Sequence, residues 1–200
     1  MAPDALSPQQ AAQALADLAA FEDELGTRVG SLTGMVWGIV SAAIFTTYAM
    51  APSIEPRWLV GFLWVPWTVA GVTVTVAAWK LHAVTLRREH DRGRSWRWAL
   101  GFTAIFVAAV GLLQLLDLRQ AAFSFMLVVN GLVAFVIVVA ASRASGRAAA
   151  LPMAAAGVLL IAGAFALPLL ELSTQATGFA SAALVGACYI GASLVSFVRG

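Results

Sequence analysis

The sequence predicts an all-α, polytopic membrane protein: six transmembrane helices, both termini cytoplasmic, and a short N-terminal amphipathic helix. Three observations carry this prediction. Of 200 residues, 61% are hydrophobic and 11% charged, with a mean hydropathy of +0.88, whereas soluble domains carry roughly 25% charged residues. Apolar runs of about 20 residues, each able to cross a hydrocarbon core of about 30 Å, recur along the chain. The basic residues also alternate by connection. Arg28, Lys80, Arg87, Arg88, Arg92, Arg94, Arg97, Arg143, Arg147 and Arg199 fall on one side of such a topology, against Arg57 and Arg119 on the other, a positive-inside bias that puts both ends in the cytoplasm of a plasma (inner) membrane.

Taken in order, the chain divides into residues 1–29, a cytoplasmic amphipathic helix and hinge, and residues 30–200, a six-helix transmembrane domain. Ser7-Pro8-Gln9-Gln10 reads as a helix start: a Ser N-cap, Pro in the first turn and Gln placed for a capping box. No basic, apolar signal sequence is expected there. Leu15, Leu18, Phe21 and Leu25 follow at spacings of three and four, one narrow apolar face of a helix. That helix is acidic: residues 1–30 hold Asp4, Asp17, Glu22, Asp23 and Glu24 against Arg28. Acidity disfavours anionic lipid, so the face is expected to fold on the protein's own basic loop or to dock on a partner.

Gly26 and Gly30 are expected to form a flexible joint before a first span over residues 31–51. The second span is expected over residues 58–82, with Pro66 opening a backbone bond in it. The basic loop of residues 80–97 precedes a third span over residues 98–116, and a short link leads to a fourth over residues 121–142 as an antiparallel hairpin. The fifth and sixth spans are expected over residues 151–170 and 176–198.

Small residues mark the contact faces. Gly26, Gly30, Gly34, Gly38 and Ala42 recur every fourth position and Thr46 continues the row, a pattern that lets helix backbones approach closely in lipid. The sixth span carries two similar rows, Gly178-Ala182-Gly186 and Ala183-Ala187-Gly191. First-to-last closure within the bundle and docking of a second membrane subunit both use such faces. Asn130, deep in the fourth span, is expected to hydrogen-bond another helix or to coordinate a ligand. Thr46, Thr47 and Tyr48 of the first span, with Trp64, Trp67 and Thr68 of the second, have the aromatic and hydroxyl make-up of a small-molecule pocket.

Much chemistry is excluded. Cys188 is the only cysteine and His82 and His90 the only histidines, so no Cys-based metal site, facing heme ligands or cofactor is expected. No charged residue falls at mid-membrane, which weighs against ion-coupled transport. Nucleophile elbows, zinc-protease helices and phosphate loops are absent, and the positive charges report orientation, not nucleic-acid binding. The expectation is a non-catalytic membrane subunit of a multi-subunit transport system, meeting the lipid bilayer and a second membrane subunit or an ATPase. Its rivals are a stand-alone small-solute carrier or channel acting as a homo-oligomer and, less favoured, a membrane enzyme. In size, six-span plan and small residues on the first helix, the chain resembles the substrate-binding membrane subunits of energy-coupling-factor vitamin transporters, a resemblance that implies a partner met through the first helix.

Overall fold

A capping box starts the longest of the described elements. In the computed structural model, which describes residues 7–51, 62–86, 119–144 and 147–199, Ser7 Oγ accepts from the Gln10 backbone N–H and Gln10 Oε1 accepts from that of Ser7. The helix that follows, α1 (Pro8–Met50), is continuous for 43 residues. The joint expected at Gly26 and Gly30 leaves it unbroken. A glycine inside a helix costs only about 1 kcal/mol relative to alanine, and local bonds bridge the region: Arg28 pairs with Glu24, Ser31 Oγ donates to the Thr27 carbonyl and Thr33 Oγ1 to that of Val29.

The remaining described helices are α2 (Trp64–Leu86), α3 (Arg119–Ala144), α4 (Arg147–Ala166) and α5 (Thr174–Arg199), with a 3-10 turn over Leu167–Leu170 between the last two. Every described element is helical. α1, residues 121–138, residues 150–170 and α5 are long and apolar enough to cross a membrane, and α2 contributes a shorter apolar stretch over Trp64–Ala78. The expected third span and the basic loop from residue 87 onward lie outside the described residues. Pro66 is the third residue of α2, where the first turn needs no intrahelical donor, and so it does not open the mid-span bond expected of it. Glu171 takes a left-handed backbone conformation, φ 48°, to end the 3-10 turn. Ser173 then caps α5, its Oγ accepting from the Ala176 N–H at 3.2 Å.

The bundle is built on antiparallel neighbours. α1 and α5 form its most extensive pair, with Gly34 beside Ser193, Gly38 beside Tyr189 and Ile190, Gly186 beside Ala42 and Gly178 beside Ala49. As one number rises the other falls, so the two helices stay in register over four turns. α3 and α4 make a second antiparallel pair, in which Gly131 meets Ile161 and the Gly157 carbonyl. α4 packs on α5 through Gly163 and Leu184, and α2 lies on α1 through Gly71 and Val40. Phe45, Phe123, Met126, Leu127, Leu160 and Val185 fill the centre, with the Phe45 and Phe123 rings stacked at 6.1 Å.

Candidate functional site

The small-residue ladder of α1 divides in the structure. A methyl group built on Gly38 stands 2.8 Å from Tyr189 Cβ and 3.3 Å from the Ile190 backbone nitrogen, and one on Gly178 stands 2.5 Å from Ala49 Cβ and 2.8 Å from the Phe123 ring. Real Cβ atoms do not tolerate such separations, so these glycines set how closely α1 and α5 approach. Gly34, Ala42, Ala182 and Gly186 belong to the same contact; Ala182 is buried, and Gly186 meets Ala42 at ordinary van der Waals distance. Gly26 and Gly30 do not, having nothing within 4 Å of the position a methyl would take. They lie where α5 runs out, since Arg28 stands over the Phe197 ring at 5.9 Å near the end of α5.

Asn130 joins three helices. Its Oδ1 accepts from Ser41 Oγ of α1 at 3.1 Å, its Nδ2 donates to the Met126 carbonyl one turn back at 2.8 Å, and its own carbonyl accepts from Tyr189 Oη of α5 at 2.7 Å. Partners of this kind are what a polar amide at membrane depth requires. The bonds occupy one of the two amide hydrogens and the carbonyl oxygen of the side chain, within reach of helices α1, α3 and α5.

The aromatic and hydroxyl residues expected to line a pocket meet in part. Trp67 Nε1 donates to Thr47 Oγ1 at 3.1 Å, and that hydroxyl donates in turn to the Ala43 carbonyl at 2.7 Å. The pair fastens α2 to α1 with the Trp67 ring 42% exposed. Tyr48 is buried in the core, Trp64 packs against it, and Thr46 and Thr68 are half-buried. Asn130 is not brought to this group: its partner Ser41 lies six residues before Thr47, about 9 Å along α1. The two sets are separate fastenings, one between α1 and α2 and one at the meeting of α1, α3 and α5.

Beyond the end of α5, α1 continues past the described bundle. From Arg28 back to Pro8 it extends for roughly 30 Å at 1.5 Å per residue. Leu15, Leu18 and Phe21 are 68%, 52% and 53% exposed on this extension, and Asp17 and Glu24 are exposed beside them. Among the described residues no group of three or more His, Cys, Asp or Glu side chains is placed to hold a metal ion. Sequence reasoning missed Ser41 and Tyr189 as the partners of Asn130 and Gly71 as the seat of α2; a Ser or Tyr in an apolar helix is the only signal that pointed to them. Compared with known proteins, the chain matches no family model, and no curated protein and no solved structure shows significant similarity to it.

Proposed function

We propose that the chain is a non-catalytic membrane subunit of a larger, transport-type assembly, and that it engages its partner through the N-terminal extension of α1. The observation that carries this reading is the exposed Leu15, Leu18 and Phe21 face, projecting past the bundle and flanked by Asp17 and Glu24. An apolar helical stripe held in water is unfavourable by about 25 cal/mol per Å² left uncovered, and the flanking acids select a partner surface that is apolar with a basic rim. The ladder is a weaker candidate for the contact, because Gly34 and Gly38 are already filled by α5. For the rival carrier reading, Asn130 was the natural ligand-binding amide, and its bonds to Ser41 and Met126 favour a fastening role.

The test is purification of the full chain from its native membrane in mild detergent, with and without the pair Leu15→Asp and Leu18→Asp. The reading expects a stoichiometric second subunit that the double variant loses while its own thermal unfolding is unchanged. A chain that elutes alone in both forms and moves a small neutral solute into liposomes contradicts it and supports the carrier.

A further inference from the structure

Helix α5 carries two small-residue rows, and among the described residues only one of them packs closely on another helix. Gly178, Ala182 and Gly186 are buried against α1, whereas Ala183, Ala187 and Gly191 are exposed, with nothing within 4 Å of the methyl position at Gly191. Ala187 and Gly191 of this second row line an open groove between α4 and α5. Leu151, Ala155 and Leu159 line it from α4; Ala187, Gly191 and Arg199 line it from α5, and its volume is about 610 Å³.

The groove's length and lining limit what it can hold. From Leu184 to Arg199 it follows α5 for roughly 15 residues, or about 22 Å, somewhat more than one leaflet of a hydrocarbon core about 30 Å thick. Apart from Arg199 its lining is apolar, made of leucine, proline, alanine, glycine, valine and cysteine. A hydrocarbon chain with an anionic headgroup matches this lining, apolar along its length and cationic at one end. The floor is small because Ala155, Ala187 and Gly191 leave the space that larger side chains would fill, and the exposed Leu151 and Leu159 border it on the α4 side.

Charge is found at one end only. Arg199 closes the groove where α5 ends and is the one charged residue among those lining it. A cation at the hydrocarbon boundary attracts an acidic headgroup, by about 1 kcal/mol for each basic residue near an anionic surface. We propose that the α4–α5 groove is a binding site for one acyl chain of an acidic phospholipid, whose headgroup sits on Arg199. The site is distinct from the α1 extension, and it stands or falls independently of the partner reading.

Native mass spectrometry of the full chain tests it, with phosphatidylglycerol and phosphatidylcholine of identical chains as probes. The expected result is one retained phosphatidylglycerol per chain, favoured about five-fold over phosphatidylcholine. Arg199→Gln is expected to bring that preference within about two-fold. Gly191→Leu, placed where a side chain meets open space, is expected to lower retention of both lipids at least five-fold with the unfolding temperature unchanged. A phosphatidylglycerol carrying a photoactivatable group in its acyl chain supplies a readout on the unaltered protein, and is expected to label peptides of residues 151–159 and 184–195. Equal retention of the two lipids by the wild type, lipid retention that Gly191→Leu leaves intact, or labelling confined to α1 and α2 overturns the proposal. Loss of a membrane partner or second copy on Gly191→Leu, with lipid retention unaffected, overturns it too and gives the groove to a helix.

Discussion

Asn130 shows how a single polar side chain stabilises a bundle in which apolar contact gains little over lipid. Interhelical hydrogen bonds in membranes average about 0.6 kcal/mol and reach about 1.7, so Asn130→Ala is expected to lower stability by roughly that amount, measured by reversible unfolding in mixed micelles. The geometry makes a sharper prediction. Ser41 bonds the Asn130 side chain and Tyr189 bonds its backbone carbonyl, so Ser41→Ala should couple with Asn130→Ala in a double-mutant cycle. Tyr189→Phe should be additive with it within about 0.3–0.5 kcal/mol. The reverse pattern would mean that the amide, and not the carbonyl, holds α5. Glycines separate in the same way. Gly38→Leu must displace Tyr189 and Ile190 and is expected to cost at least the 1–3 kcal/mol typical of overpacking. Gly30→Leu meets open space and is expected to leave the unfolding transition of the bundle within about 0.5 kcal/mol.

Among the elements, α1 departs most from what its sequence implies. Two glycines four residues apart, between an acidic amphipathic stretch and an apolar one, read as a joint, yet the helix passes through them because its neighbours supply bonds on both sides. Spin labels at Gln13 and Leu32, both exposed, are therefore expected to give one narrow distance near 28 Å at 1.5 Å per residue. A broad distribution reaching much shorter distances would restore the joint. Pro66 teaches a related lesson: its effect depends on where the helix begins, and the apolar run containing it is longer than the helix from Trp64. Boundaries fared better where a cap is written locally, as at Ser7, which both the sequence and the structure place before Pro8.

For the whole molecule, the helical class and the membrane-length helices were legible because composition and run length report solvent directly. What covers each face was not. The rows Gly178-Ala182-Gly186 and Ala183-Ala187-Gly191 are equally regular, yet one packs on α1 and the other is exposed, with Ala187 and Gly191 lining an open groove, since periodicity defines a stripe without naming its neighbour. The Ser41–Asn130 bond spans 89 positions and leaves no local trace, and the Trp67–Thr47 bond between α1 and α2 is no more visible in the sequence. With the α1–α5 seam closed inside the bundle, the account's central claim is that the exposed extension of α1 meets another protein. It is tested most directly by a photo-cross-linking amino acid placed at Leu18 in the full chain, in native membranes, with the same group at Ile39, exposed on the apolar part of α1, as the comparison. The account predicts one discrete protein adduct from Leu18, weakened by high salt, and none from Ile39. Adducts to lipid alone at both positions would contradict it.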